Sequence, residues 1–193
     1  MSETPIINEL SNLGVSISEK PFDKDQQMEH LRKIENLFSI SIPDDYKEFL
    51  LLYNQVLFEN YITISPKVLP ELGGHILEEL YGLDCLSYHM NRYSDRIPSS
   101  FIPIGECVGG DLVLIGIKED SDGKVFIWDH ENELQARLML GEKVEADLNS
   151  YKENLHLISQ TFVEFLSILE IDDNDDLELD GVEIWLDDDL LDD

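Results

Sequence analysis

The chain has 193 residues, of which 42% are hydrophobic, and its formal net charge is −29 from 13 basic and 42 acidic residues. This length and composition are typical of one globular domain with a core of its own, and they exclude wholesale disorder. The negative charge argues against direct binding to nucleic acid or anionic membranes, and no apolar run reaches the roughly 18 residues of a membrane span.

The apolar spacing predicts helices in the amino-terminal third of the chain. A short helix covers residues 6–13 and ends at Gly14, and an amphipathic helix covers residues 26–38. A third helix begins at Pro43 and has one apolar face from Tyr46 to Tyr53. We expect this aromatic face to pack on a sheet.

The next part of the chain is less regular. Residues 58–64 predict an early strand, and residues 75–81 fit either a strand or a short helix. Residues 85–93 predict a helix, and Pro98 marks a loop after it.

The centre of the sequence predicts three antiparallel strands in the middle of a sheet. An apolar run from Phe101 to Cys107 stops at a Gly-Gly pair, and the almost wholly apolar run 112–117 follows. Such a run is typical of a strand covered on both faces. The Asp122-Gly123 turn then leads into residues 125–128, because Gly takes the positive φ that tight hairpins need.

Beyond the central strands the pattern weakens. Residues 135–140 fit a further edge strand, and residues 149–154 are a polar linker. Thr161 and Glu164 form a capping box for a last helix. The predicted fold is therefore α+β: amino-terminal helices, a mainly antiparallel central sheet, a closing carboxy-terminal helix and an acidic tail. We expect one domain over residues 1–171 and a tail over residues 172–193.

The stretch from Phe101 to Glu131 resembles the SUKH superfamily. The shared features are an Ile-Pro-Ile-Gly strand, a Gly-Gly-Asp turn, an apolar strand, an acidic Gly turn and a strand that ends Trp-Asp-His-Glu. Residues 42–50 and 161–166 resemble the first and last helices of that family, so the resemblance covers residues 27–170. One departure is Asn54-Gln55, where the family often has Asn-Gly.

The resemblance implies a function as well as a fold. The superfamily takes in fungal glucan-synthesis regulators called Smi/Knr and many bacterial toxin-immunity proteins. It implies a non-enzymatic immunity protein that binds a cognate toxin domain, commonly a nuclease. The alternative is a regulatory protein-interaction module like the fungal members. The acidic charge agrees with the first interpretation, because nucleases hold phosphates in basic clefts and an acidic inhibitor is steered towards such a cleft.

Turns and strand ends supply the candidate residues for contact with the partner. The acidic candidates are Asp111, Glu119, Asp120, Asp122, Asp129 and Glu131. Trp128 and Trp185 are the candidate apolar anchors, since tryptophan often anchors interfaces. We expect residues 129–131 to be exposed at a strand end, whereas Trp128 also fits a place in the core.

The acidic tail holds 12 acidic residues and no basic one. Without it the chain still has 30 acidic and 13 basic residues, a net charge of −17. The tail mixes acidic and apolar residues, a pattern that folds either on a partner or on the surface of the domain. Residues 172–183 also match the ligand spacing of a calcium loop, but Leu177 occupies the position that requires glycine. We therefore expect no calcium site.

Other chemistry finds little support in the sequence. Cys85 and His89 are spaced for one side of a zinc site, but only His75 and Cys107 are obvious further ligands, so we expect no metal. No Gly-x-Ser-x-Gly, His-Glu-x-x-His or phosphate-loop motif is present, which favours no enzymatic activity and no cofactor. The two cysteines and the lack of a signal peptide favour a cytoplasmic protein with reduced thiols.

Overall fold

The computed structural model describes residues 4–16, 23–53, 55–65, 67–70, 73–144 and 146–172. The helices in these ranges are α1 (Pro5–Asn12), α2 (Lys24–Phe38), α3 (Asp44–Leu52), α4 (Leu83–Arg92), α5 (Leu134–Met139) and α6 (Phe162–Ser167). The strands are β1 (Val56–Ile64), β2 (His75–Leu80), β3 (Phe101–Cys107), β4 (Leu112–Gly116), β5 (Val125–Trp128), β6 (Leu155–Ser159) and β7 (Leu169–Ile171). None of the described helices has the length and apolar character that crossing a membrane requires.

The described strands form one antiparallel sheet in the order β6-β5-β4-β3-β2-β1-β7. The predicted strands β3, β4 and β5 are confirmed as inner strands, and every residue of β4 is buried. Gly116 ends β4 where the chain turns back on itself, and a Cβ atom there would come within 1.9 Å of the carbonyl oxygen of Ser121. Only glycine fits such a close approach.

The main core lies on one face of the sheet, called here the inner face. Side chains from α1, α2, α3, α4 and α6 join strand residues in this core. The predicted aromatic face of α3 is confirmed: Tyr46 and Phe49 pack against Phe162 of α6 with ring centroids 5.1 and 5.2 Å apart. Asp45 accepts a 2.7 Å hydrogen bond from the backbone N–H of Phe162, which joins the start of α3 to the start of α6.

The second half of the chain departs from the prediction in three places. Residues 134–139 form helix α5, so the predicted edge strand is wrong there. Arg137 points from α5 to the hydroxyl of Tyr151 and to the carboxylates of Glu142 and Glu153. One edge strand of the described sheet is instead β6, after the polar linker. Strand β7 follows α6, so that this helix is not the last described element.

The segment 75–81, which fits either a strand or a short helix in the sequence, contains strand β2.

The other face of the sheet, called the outer face, has two unlike halves. The strand registers place six residues in one row across it: Leu57, Glu79, Glu106, Leu112, Trp128 and Leu155. Directly opposed residues of an antiparallel pair point to the same face. Leu112 and Trp128 lie in a second, smaller core, which makes β4–β6 the covered half. Leu57 is 67% exposed and the two glutamates are half-buried, so β1, β2 and the end of β3 form the open half.

Candidate protein-interaction surface

The structure divides the predicted contact residues between the two ends of β4. Asp111 precedes β4 while Asp129 and Glu131 follow β5, and the pairing of Leu112 with Trp128 brings these positions together at one end. Asp120 and Asp122 lie in the connection between β4 and β5, at the other end. Because β4 has five residues, the two groups are separated by about 15 Å along the strand. They do not form one compact patch.

The first group is organised around the carboxylate of Asp111. A turn with two glycines at positive φ, Gly109 and Gly110, brings it to the start of β4. Its Oδ2 accepts a 2.8 Å hydrogen bond from Nε2 of His75, at the start of β2. Its Oδ1 accepts from Nδ1 and the backbone N–H of His130, at 2.7 and 3.0 Å. This clamp of Asp111, His75 and His130 joins β2, the β3–β4 turn and the end of β5.

The electrostatics of the clamp favour a charged pair. Burial by itself raises the pKa of Asp111, but hydrogen bonds from His75 and His130 outweigh that effect and lower the pKa to about 2. The hydrogen bond to Asp111 raises the pKa of His75 above its ordinary value, against the opposing effect of burial. An ionised Asp111 and a protonated His75 therefore stabilise each other.

Asp129 is buried, so the prediction that it is exposed is wrong. Its Oδ1 accepts hydrogen bonds from the backbone N–H groups of Glu131 and Asn132 at 2.9 and 3.2 Å, and its Oδ2 accepts from the Asn132 side chain at 2.7 Å. Asn154 donates to its backbone carbonyl at 3.0 Å. The carboxylate thus holds the turn after β5, a common use of aspartate that leaves it 8% exposed. Glu131 is exposed, as predicted.

Trp128 belongs to the covered half of the outer face. Its side chain is 1% exposed, and the guanidinium of Arg96 lies 5.1 Å from the ring centroid. The same guanidinium makes two hydrogen bonds to Glu133, at 2.8 and 2.9 Å. This cover agrees with the alternative that placed Trp128 in the core. Contact of Trp128 with a partner stays a prediction, and it requires the Arg96–Glu133 pair to move.

The second group lies in the β4–β5 connection, where Glu119 begins a short 3-10 helix. Asp120 and Asp122 are exposed there. Glu131, at the opposite end of β4, is exposed as well. Trp185 and the calcium-like segment after Asp172 lie outside the described residues.

One cluster of acidic and histidine side chains has the composition of a metal site. Within the described ranges, Asp111, Asp129 and His130 form a group whose possible ligand atoms lie within 4.8 Å of one another. All the carboxylate oxygens in it accept hydrogen bonds from neighbouring protein groups. Cys85 and His89 are not part of it: the Cys85 thiol donates to the carbonyl of Gly82, and the His89 ring stacks on the ring of Tyr81.

Sequence reasoning missed the acidic residues of the open half. Glu79 of β2 and Glu106 of β3 are directly opposite each other in the sheet. The hydroxyl of Tyr81 donates to Glu106 at 2.9 Å, and the Tyr81 ring stacks on His89 with 3.6 Å between centroids. No local motif marks these glutamates, because only the strand register brings residues 27 positions apart together.

Comparisons with known proteins extend the resemblance seen in the sequence. A SUKH family model, described as SMI1-KNR4 cell-wall, matches residues 28–138. The matched part runs from α2 into α5 and includes both the clamp and the outer row as far as Trp128. The chain is also similar to the SPbeta prophage-derived uncharacterized protein YokK of Bacillus subtilis (strain 168). The two are 31% identical over 84% of this chain and 85% of the relative.

Proposed function

The chain belongs to the SMI1-KNR4 cell-wall family of the SUKH superfamily, and on that basis we propose that it is a non-enzymatic bacterial immunity protein. It binds and neutralises a cognate toxin domain in the cytoplasm. The toxin domain carries a basic surface, and a nuclease is the class that fits best. The description of the relative as prophage-derived is compatible with this proposal.

The observation that carries the proposal is the charge of the folded domain. Residues 1–171 hold 30 acidic and 13 basic residues, so the domain is acidic without its tail. Nucleases hold phosphates in basic clefts, and a complementary acidic surface speeds association with such a cleft and disfavours wrong partners. The exposed carboxylates of Asp120, Asp122 and Glu131 supply part of that surface.

The clamp supports a binding role over a catalytic one. Asp111, His75 and His130 are the residue types of acid–base catalysis, but both carboxylate oxygens of Asp111 already accept hydrogen bonds from the two imidazoles. A general base needs its acceptor directed at the substrate. In this arrangement the carboxylate stabilises the junction of three strands.

A second candidate is a regulatory protein-interaction module. The description of the matching family as SMI1-KNR4 cell-wall favours it. Such a module also binds a protein partner without catalysis, but it does not block an active site. Inhibition of the partner therefore separates the two candidates, and binding alone does not.

The test is a titration of toxin activity. The basic carboxy-terminal domain of a toxin encoded beside the gene for this chain is purified, and its nuclease activity is measured against increasing amounts of the chain. We expect activity to disappear at an equimolar ratio. An unrelated nuclease of similar basic charge is the control and should stay active. Binding with full residual activity would favour the regulatory module, and absence of binding would refute both the toxin and the steering argument.

A further inference from the structure

The open half of the outer face places two carboxylates side by side. Glu79 and Glu106 are directly opposed on neighbouring strands, where like charges destabilise a sheet. In the described part of the chain, neither glutamate forms an ion pair with a Lys or Arg. The donors they do have are neutral: the hydroxyl of Tyr81 for Glu106 and the amide of Gln55 for Glu79. Among the described residues, no Lys or Arg side chain therefore contacts either carboxylate directly, while Arg92 and His89 lie near enough to interact with the pair electrostatically.

Exposed apolar side chains flank the two carboxylates. Leu57 lies next to Glu79 in the outer row and is largely exposed. Next to Glu106, the ring of Tyr81 stacks on the ring of His89. The centroid of the His89 ring lies 5.1 Å from that of the exposed Tyr88 ring. Tyr61 of β1 is also exposed, and it points to the outer face because its neighbour Ile62 points to the core.

We propose that this open face docks the basic surface of the toxin domain and that the Glu79–Glu106 pair receives one of its Arg or Lys side chains. The inference rests on the proposed function, and it adds the place of contact. It differs from the contact surface predicted from the sequence, which lies at the ends of β4. The occupant is a folded basic protein, because the charge of the pair is complementary to it and because a neighbouring apolar surface contacts Leu57 and Tyr88.

The chemistry of the site favours a protein over a free cation. Small cations such as Mg²⁺ or Ca²⁺ need oxygen ligands alone and gain nothing from leucine and tyrosine rings. An Arg guanidinium matches the site better, since its planar donors bridge two carboxylates and its face packs on an aromatic ring. Surrounding apolar contacts exclude water from such a pair and strengthen it.

The decisive experiment compares three double variants with equal charge change. Glu79→Gln with Glu106→Gln removes the pair but keeps shape and hydrogen-bond acceptors. Glu29→Gln with Asp44→Asn is the matched control on helices α2 and α3. Asp120→Asn with Asp122→Asn tests the surface predicted from the sequence. The probe is the catalytically inactivated basic toxin domain, and the dissociation constant is measured for each variant by calorimetry.

We expect the Glu79/Glu106 variant to raise the dissociation constant by at least about tenfold, and the helix control by less than about threefold. Leu57→Ser, at an exposed position, should raise it as well. The melting temperature of the Glu79/Glu106 variant should be unchanged or higher, because a repulsion is removed. A residue pair with only a structural role would not show lost binding together with kept stability.

Each contrary result overturns the inference in a different way. Equal losses in the Glu79/Glu106 and helix variants would mean that the overall charge acts and not this pair. A loss confined to the Asp120/Asp122 variant would place the contact at the end of β4. If the unmodified chain fails to bind the toxin domain, the proposed function fails and the docking site fails with it.

Discussion

The covered and open halves of the outer face belong to the same sheet but differ in the exposure of their side chains. One row of side chains crosses both, and it changes from an exposed leucine and two glutamates to a buried leucine and a buried tryptophan. On the covered half, Tyr93 and Arg96 from the segment after α4 lie over Trp128. The covered half therefore contributes to the stability of the domain, whereas the open half leaves carboxylates and apolar side chains at the surface.

The clamp connects strands that belong to the two halves. His75 belongs to β2 on the open side, whereas Asp111 and His130 flank the covered strands β4 and β5. Its hydrogen bonds connect β2 with the ends of β4 and β5, which do not pair with β2 in the sheet. We expect changes there to lower the stability of both halves, and changes in the open half to affect binding more than stability.

The largest effect is expected for Trp128→Ala. Removing this buried ring leaves a cavity in the smaller core and should lower the free energy of unfolding by about 3–5 kcal/mol. Leu57→Ala, at the exposed end of the same row, should change it by less than about 0.5 kcal/mol. Urea unfolding of the two isolated variants measures the contrast. Equal stability of the two variants would contradict the division of the outer face.

Asp111→Asn comes next. The variant loses charge-assisted hydrogen bonds to two histidines, which should lower the free energy of unfolding by about 2 kcal/mol near pH 5. Asp122→Asn makes the same charge change at an exposed site of the same hairpin and serves as the control. Its stability should be close to that of the unmodified chain.

The pH dependence of the Asp111→Asn effect has a definite sign. Asp111 has a lowered pKa, so its contribution is present above the ordinary carboxylate pKa of about 4 and disappears as the pH falls through about 2. His75 has a raised pKa, so its contribution is complete below the ordinary value of about 6.5 and disappears as the pH rises through the raised value. The difference from the unmodified chain should therefore be largest between about pH 4 and 6.5. A difference that keeps growing at alkaline pH would show that His75 is not charged in the clamp.

The middle of the fold could be predicted because its signals are local. The apolar runs of β3, β4 and β5 are separated by glycine turns, and Thr161, the residue before α6, accepts a hydrogen bond from the N–H of Glu164. Short elements lacked such signals. Strand β7 has three residues, and α5 exposes Met139 and its neighbours, so an apolar run there resembles an edge strand.

The candidate site was less predictable for a different reason. The predicted contact residues were acidic residues in turns, but whether an acidic side chain is exposed depends on partners that are distant in the sequence. Asp111 meets His75 from 36 positions away, and Asp129 is held by Asn154 from 25 positions away. Glu79 and Glu106 were passed over because single glutamates are ordinary in so acidic a chain. Only the register between β2 and β3 shows that the two glutamates are directly opposite each other.

A smaller effect, of opposite sign, is expected for Glu106→Gln alone. The amide keeps the contact with Tyr81 and removes the repulsion with Glu79, so the free energy of unfolding should rise by about 0.5 kcal/mol. The covered half offers the contrast: Glu133→Gln weakens the pair with Arg96 above Trp128 and should lower stability. Thermal melts of the two single variants at low salt show the two signs. A loss of stability in Glu106→Gln would mean that the glutamate is a structural residue.

The smallest change in stability is expected from deleting residues 173–193. The deletion removes 11 acidic residues and no basic one, but it leaves the last described strand, β7, intact. The described chain ends beside the open half, where the N–H of Asp172 donates to the carbonyl of Tyr61 at 2.8 Å. If the open face binds a partner, the shortened chain should melt at the same temperature as the full chain.

Association of the shortened chain with the basic toxin domain should be slower at low salt and nearly unchanged at high salt, because fields of exposed charges are screened beyond about 8 Å at physiological ionic strength. Stopped-flow measurements across a salt series give the association rate, and the dissociation rate rises only if Trp185 or its neighbours touch the partner. A lower melting temperature together with tighter toxin binding would instead mean that the tail packs on the domain and competes with the toxin. The open half would then be covered by the tail in the free protein.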